Sequence, residues 1–154
     1  MIYFEDFAAG QVYDLGRRTV TADDIVDFAR KYDPQPFHVD PAAARASIFG
    51  GLVASGWHTS AIFMGLLADT IKRERWASLG APGIDRCRWP QPVRPGDTLS
   101  GTLEVLDARR SRSRPFGLVR NRSVLTNQDD KEVLTLEGTG LYALRQRDAA
   151  EGAA

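Results

Sequence analysis

A carboxylate and an imidazole lie five residues apart in residues 33–38 (DPQPFH), as Asp33 and His38. Pro34 and Pro36 fix φ, remove two backbone donors and push the residues before them toward extended conformations. The prolines therefore predict a stiff, irregular loop that is neither regular helix nor strand. An imidazole held near a carboxylate can exchange a proton with one shared water near neutral pH, because its ordinary pKa is about 6.5.

The same residues have a plainer interpretation. Asp before Pro is a common way to open a turn, and an isolated His is more often packed or exposed than catalytic. Short motifs also match frequently by chance. The pair therefore indicates chemistry only if the rest of the chain positions it.

The composition is that of one ordinary globular domain spanning residues 1–154, with 43% hydrophobic and 26% charged residues. A formal net charge of zero argues against a nucleic-acid-binding protein that relies on a large positive field. The single Cys87 excludes an intramolecular disulfide, and no Cys/His cluster has the spacing of a structural zinc site. We expect a tail from about residue 145 to be flexible.

The N-terminal residues 1–6 (MIYFED) are acidic and short, unlike the basic flank and apolar run of a secretory signal. No apolar stretch reaches the length of about 20 residues that spans a bilayer. We therefore expect a soluble, cytoplasmic protein with no membrane partner.

Three helices are predicted around the Asp33 loop. Thr21 is a good N-cap for a helix that runs to about residue 31, and Asp40 is one for a turn or two over 40–45. Residues 56–75 are apolar nearly all the way round over their first four turns, which is typical of a helix buried at the centre of a fold.

The second half of the chain predicts strands. Residues 98–105 alternate between apolar and polar side chains, and residues 117–126 and 132–144 are extended runs rich in Val, Leu and Thr. Residues 127–130 (NQDD) form a turn signal between them. These patterns predict an α+β domain in which one buried helix packs against an antiparallel sheet of about five or six strands.

Three blocks of the sequence resemble the MaoC-like acyl dehydratases, which are related to (R)-specific enoyl-CoA hydratases. The blocks are DPQPFHVDP at 33–41, GGLVASGWHT at 50–59 and PVRPGDTL at 92–99, and the resemblance covers roughly residues 3–144. It implies a single hot dog domain, in which the antiparallel sheet wraps the long central helix. It also implies an active site near a subunit interface, with the acyl-pantetheine chain in a tunnel, and therefore a homodimer or a dimer of dimers.

By this resemblance, Asp33 and His38 match the family's catalytic pair, and Gly56 matches the glycine whose N–H receives the thioester carbonyl. A helix that begins near Gly56 points unpaired N–H groups and its positive dipole end outward, which suits an oxyanion hole worth about 3 kcal/mol. Two residues depart from the family's commoner pattern: Gln35 stands where Asn is common, and Ser55, which we group with Gly56 for substrate binding, stands where many hydratases have His.

The implied reaction is the reversible hydration of a trans-2-enoyl thioester, on coenzyme A or a carrier protein, to a 3-hydroxyacyl thioester. Asp33 and His38 would hold one water, one of them taking its proton as oxygen adds at C3 and the other supplying the proton to C2. We expect His38 to be the base. No metal or redox cofactor is needed, since the coenzyme A thioester is the substrate. Further pocket candidates are Gln35, Phe37, Trp57 and His58.

Three other features leave alternatives open. His58 either lines the pocket or packs structurally, and Cys87 is interpreted as a buried, inert thiol. A basic cluster across a predicted bend is either a solvated hairpin end or a contact for coenzyme A phosphates. Its members are Arg109, Arg110, Arg112, Arg114, Arg120 and Arg122.

Two rival functions remain at this point. Hot dog domains also serve as acyl thioesterases, which need the same polarised carbonyl, although the Asp33 to His38 spacing favours hydration. A non-catalytic acyl-binding subunit is the alternative from another class. The intact pair argues against it.

Overall fold

Six antiparallel strands form one curled sheet in the computed structural model, which describes residues 1–146. The strand order is β1-β4-β5-β6, with β2 and β3 both pairing with the outer side of β6. The strands are β1 (Val12–Thr19), β2 (Ser78–Gly80), β3 (Ile84–Arg88), β4 (Thr98–Arg110), β5 (Phe116–Thr126) and β6 (Glu132–Ala143).

Four α-helices and a 3₁₀ turn precede or interrupt the strands. They are α1 (Ala22–Tyr32), α2 (Pro36–Val39), α3 (Pro41–Ala46), α4 (Gly56–Glu74) and the turn Phe4–Asp6. The predicted N-caps are confirmed, because the Thr21 hydroxyl accepts from the Asp24 N–H and the Asp40 carboxylate accepts from the first turn of α3. Within residues 1–146 no helix is long and apolar enough to cross a membrane.

The core lies between α4 and the concave face of the sheet. Ile62, Phe63 and Leu66 of α4 are buried in one cluster with Leu103 and Val105 of β4. Each such side chain contributes about 1.5–3 kcal/mol when it leaves water. A long helix wrapped by an antiparallel sheet confirms the α+β, hot dog architecture.

One expectation about α4 is wrong: the helix is not buried all the way round. Trp57 is 60% exposed and Met64 is 48% exposed. The reason is that the sheet covers only one side of the helix, so the apolar residues on the other side face outward. Leu79 and Ile84, on the edge formed by β2 and β3, are exposed as well.

The prediction that residues 33–38 contain no regular helix is also wrong in part. Asp33 is not helical, with φ −154° and ψ 70°, but Pro36 begins the four-residue helix α2, which contains His38. A proline is well suited to the first helical position, where its missing N–H would be unpaired and its fixed φ is already helical.

The strands predicted over 117–126 and 132–144 agree with β5 and β6 to within one residue, and β4 is longer than its alternating segment. The sequence did not predict β2, which is only three residues long and too short to show alternation. The predicted tail lies mostly outside the described residues. Arg145, at its start, donates through its guanidinium to the Asp6 carboxylate at 2.6 Å.

Candidate active site

The structure brings Asp33 and His38 together. Asp33 ends α1, where its N–H donates to the Ala29 carbonyl, and α2 then turns the His38 ring back toward it. The His38 Nε2 lies 3.4 Å from the Asp33 Oδ2, with the side chains 7% and 19% exposed respectively. The two groups are therefore close enough to share one proton or one water, and solvent reaches the carboxylate.

The orientation of the His38 ring is fixed by a backbone carbonyl. Its Nδ1 lies 2.6 Å from the Val53 oxygen. A carbonyl oxygen only accepts, so Nδ1 carries the proton and, in the neutral ring, Nε2 presents its lone pair to Asp33. The Val53 N–H in turn donates to the Phe37 carbonyl, at 3.3 Å, which ties α2 to the segment before α4.

Both oxygens of the Asp33 carboxylate accept hydrogen bonds. The Ser55 hydroxyl donates to Oδ2 at 2.7 Å, and the Gln35 amide donates to Oδ1 at 2.7 Å. Burial alone would raise the pKa of Asp33, but the bonds from Ser55 and Gln35, with the charge of His38, lower it below its ordinary value. Asp33 is therefore an ionised carboxylate at neutral pH.

Ser55 connects this carboxylate to the long helix. Its Oγ also accepts from the Trp57 N–H at 3.2 Å, so Ser55 is the N-cap of α4. One fully buried hydroxyl thus fixes the start of α4 relative to Asp33. Ser55 and Gln35 are the two residues that depart from the family's commoner pattern, and each donates a hydrogen bond to the Asp33 carboxylate.

Gly56 is the first residue of α4, as expected, and no hydrogen bond within residues 1–146 uses its N–H. The need for glycine has a second cause that the sequence did not reveal. A Cβ on Gly56 would lie 2.4 Å from the Trp89 indole, which packs flat on this turn. Trp89 also donates from Nε1 to the Ser60 hydroxyl at 3.1 Å. The indole therefore forms a wall beside the N-terminus of α4.

The remaining pocket candidates separate into two groups. Phe37 packs edge-on against His38, with ring centroids 4.5 Å apart, and so borders the Asp33–His38 pair. Trp57 packs against Trp89 at 5.3 Å. His58 lies apart from them: it stacks on Phe28 at 4.8 Å and lines a separate polar cavity of about 200 Å³.

A large cavity, with a volume of about 750 Å³, lies beside α4, where the helix meets the concave face of the sheet and the edge formed by β2 and β3. Asp33, His38, Ser55 and Gly56 do not line it, but it begins at their sequence neighbours Tyr32 and Trp57. The sequence did not predict its floor. The only hint was the pair Gly138 and Gly140, whose spacing of two leaves the middle of one face of β6 without side chains. The floor residues that the sequence missed are Asn121, Gly138, Gly140 and Tyr142.

Cys87 and the arginines complete the list of candidates. Cys87 is partly exposed rather than buried, with its Sγ 3.8 Å from the Ser60 hydroxyl. The arginines over 109–114 lie at and beyond the C-terminal end of β4, whereas Thr98 begins the strand. Twelve residues of strand separate Thr98 from Arg110, which is about 40 Å along β4.

The MaoC like domain model matches residues 6–127. The uncharacterized protein YdeM of Bacillus subtilis is 33% identical over 140 residues, covering 87% of this chain and 92% of that protein. Beta-methylmalyl-CoA dehydratase of Chloroflexus aurantiacus is 33% identical over 154 residues, covering 95% of this chain and 41% of that protein. The crystal structure of a MaoC-like dehydratase from Rhodospirillum rubrum matches with a TM-score of 0.84 and 38% identity, covering 96% of this chain and all of that chain. The chain therefore belongs to the MaoC-like dehydratase family.

Proposed function

We propose that the protein catalyses the reversible hydration of a trans-2-enoyl thioester to a 3-hydroxyacyl thioester. Membership of a dehydratase family supports a hydro-lyase, and one relative is named for dehydrating a coenzyme A thioester. The observation that carries the proposal is the 3.4 Å separation of His38 Nε2 and Asp33 Oδ2, with Nδ1 held by Val53.

In this proposal one water donates to both His38 Nε2 and the Asp33 carboxylate, which leaves its oxygen free to attack C3. The ionised Asp33 is the weaker base, since a carboxylate is less basic than an imidazole and its pKa is lowered further. His38 therefore accepts the proton, and Asp33 orients the water and stabilises the imidazolium. This differs from the expectation that the two groups divide the proton transfers: because Asp33 carries no proton to give, the same Nε2–H then protonates C2.

The electrons of the C2–C3 double bond move toward the thioester carbonyl as oxygen adds. The N–H of Gly56 is proposed to receive the resulting enolate oxygen, with support from its position as the first residue of α4. Backbone N–H groups at a helix start are preorganised for such a charge. The Trp89 wall beside Gly56 would limit the directions from which a thioester can approach.

The proposed acyl site is the cavity of about 750 Å³ beside α4, which falls within the usual range of ligand pockets, about 300–1,000 Å³. Its near end touches Tyr32 and Trp57, the neighbours of Asp33 and Gly56. A thioester at Gly56 could therefore extend its chain into this cavity.

A homodimer or a dimer of dimers is part of the proposal. Its support is the exposed apolar surface around the outer edge of the sheet, because monomeric proteins rarely expose such patches. The exposed residues are Trp57, Met64, Leu79, Ile84 and Trp89. Sedimentation velocity tests the expectation directly, and a monomer at micromolar concentration would contradict it.

Mixing the protein with a crotonyl thioester tests the reaction. Hydration predicts loss of the enoyl absorbance without release of thiol, and the Asp33→Asn variant should lower kcat/KM by about 10²–10³-fold. Release of thiol would instead indicate the thioesterase alternative. Binding of the thioester without turnover would indicate the non-catalytic alternative.

A further inference from the structure

The far end of the large cavity contains a hydroxyl without a partner. Tyr142 is 4% exposed and lines the cavity, yet none of the hydrogen bonds within residues 1–146 involves its hydroxyl. A buried tyrosine hydroxyl ordinarily finds a hydrogen-bond partner. The partner of Tyr142 is therefore something that enters the cavity.

The Tyr142 ring is held firmly while its hydroxyl remains available. The ring packs at 4.4 Å from Phe7 and at 6.1 Å from Trp76. Burial raises the pKa of Tyr142 to about 12. The group is thus a neutral phenol at physiological pH, able both to donate and to accept a hydrogen bond.

The glycines of β6 leave room for the Tyr142 ring and its hydroxyl on the sheet side of the cavity. A Cβ on Gly140 would come within 2.8 Å of the Tyr142 ring and 3.2 Å of its oxygen, so only glycine lets the phenol lie along β6. Gly138, two residues away, also lines the cavity and pairs with Asn121 of β5.

Asn121 supplies a second polar group on the same floor. Its only bond within residues 1–146 runs from Nδ2 to the Val119 carbonyl at 3.4 Å, which is longer than the usual 2.7–3.2 Å. Its amide therefore keeps capacity for a ligand. The walls around these two groups are otherwise mainly apolar, and include Phe63, Leu67 and Leu136.

The distance from Gly56 to the end of the cavity that contains Tyr142 matches the length of a long acyl chain. The cavity follows α4 from Trp57 to Ile71, a separation of 14 residues that corresponds to about 21 Å. An extended chain advances about 1.2 Å per bond, since three backbone bonds span about 3.6 Å. About 17 or 18 bonds therefore separate a thioester near Gly56 from the far end of the cavity.

The uncharged lining of the cavity indicates what kind of polar group the end of a bound acyl chain would carry. Among the described residues that line the cavity there is no Lys or Arg to pair with a carboxylate, and no Asp or Glu to pair with an amine. Burial of an unpaired charge would be costly. The polar atom that meets Tyr142 should therefore be a neutral oxygen.

We propose that Tyr142 and Asn121 form a distal hydrogen-bonding subsite that selects long acyl chains carrying a hydroxyl or keto oxygen near the end remote from the thioester. This inference rests on the proposed function for the placement of the thioester at Gly56. It adds a preference among acyl chains that hydration chemistry itself does not require.

The test is a calorimetric titration of the full chain with two unreactive saturated thioesters, hexadecanoyl-pantetheine and 16-hydroxyhexadecanoyl-pantetheine. The two ligands differ only in the terminal hydroxyl, so the ratio of their dissociation constants cancels the contributions of the pantetheine group and the hydrocarbon chain. Tyr142→Phe removes only the hydroxyl and should reduce the preference for the hydroxylated chain by three- to tenfold. Tyr13→Phe is the matched control, because Tyr13 packs in the same aromatic cluster but its hydroxyl donates to Gln11.

An unchanged ratio in Tyr142→Phe would overturn the inference and assign the hydroxyl to a water molecule only. Failure of the parent protein to bind either chain would overturn it too. Failure of the proposed function is separate: the protein would hydrate no enoyl thioester, while the difference in binding and its loss in Tyr142→Phe would persist.

Discussion

The two histidines of the chain lie in contrasting environments, although both are buried. The Nδ1 of His38 is held by a carbonyl at 2.6 Å and its Nε2 faces Asp33 at 3.4 Å. The Nδ1 of His58 has no partner within residues 1–146, and its ring stacks on Phe28 with an interplanar angle of 10°. Only His38 is oriented for proton transfer.

The pKa of His58 reinforces the contrast. Burial lowers the pKa of His58, and the opposing charge of Asp24 does not restore it. His58 is therefore neutral at neutral pH, because the charge of the nearby Asp24 carboxylate does not outweigh the effect of burial. The comparison shows that burial alone does not orient a histidine for proton transfer, which also requires a fixed tautomer and a carboxylate facing the second ring nitrogen.

The largest expected effect separates the two histidines. His38→Ala should lower kcat/KM for the best enoyl thioester by about 10³-fold, because it removes the base and the proton donor together. His58→Gln should change it by less than about threefold, since His58 lines a different cavity and shares no hydrogen bond with the pair within residues 1–146. Steady-state kinetics on folded variants measures both values. Comparable losses in the two variants would contradict the distinction between them.

Removing the hydroxyl of Ser55 should have a smaller effect. Ser55→Ala deletes one donor to Asp33 and should raise the pKa of that carboxyl toward its ordinary value, which ¹³C NMR of the carboxyl would detect. Turnover should fall about tenfold as Asp33 loses its orientation.

Loss of the N-cap at Ser55 should also cost about 1 kcal/mol in the free energy of unfolding. Thr21→Ala is the matched control, because it removes the N-cap of α1 without touching Asp33. An equal fall in turnover in the Thr21 variant would mean that general destabilisation, rather than the bond to Asp33, explains the result.

The sequence predicted the fold well because its signals are local. Helix caps at Thr21 and Asp40, and alternation along β4, report directly on neighbouring backbone groups. The exposed face of α4 was not predictable in the same way, because apolar residues that line a cavity or an interface have the same pattern as core residues.

The candidate site was predicted in its residues but not in its connections. The pairing of Asp33 with His38 followed from the proline-rich spacing and the family resemblance. The Val53 carbonyl could not be predicted, since a backbone acceptor has no side-chain signature. The Trp89 contact with Gly56 joins residues 33 positions apart, so it depends on tertiary packing rather than on a local pattern.

The pH dependence of stability should sharpen the contrast between the histidines. The pKa of His58 in the folded protein is lower than in the unfolded chain, where it is about 6.5, so the unfolded state binds more protons below pH 6.5. The contribution of His58 is therefore fully present above pH 6.5 and is lost as pH falls toward the folded pKa.

Urea unfolding between pH 5 and 8 measures this effect. His58→Gln should flatten the fall in the free energy of unfolding below pH 6.5, relative to the parent, since Gln does not titrate. The two proteins would also be compared at pH 8, where the imidazole is neutral in both states, so any remaining difference reports packing alone. If the free energies of unfolding of the two proteins differed by the same amount at every pH, the assignment of the titration to His58 would be wrong.

The smallest expected effect concerns the exposed arginines at the far end of β4, which lie about 40 Å along the strand from Thr98. The exposure of these side chains favours a solvated hairpin end over contact with a phosphate. Replacing Arg110 and Arg112 by Ala should therefore change KM for a coenzyme A thioester by less than about twofold. A several-fold rise in KM that is absent with the matching pantetheine thioester would instead mean that these arginines bind coenzyme A phosphates, contributed across a subunit interface.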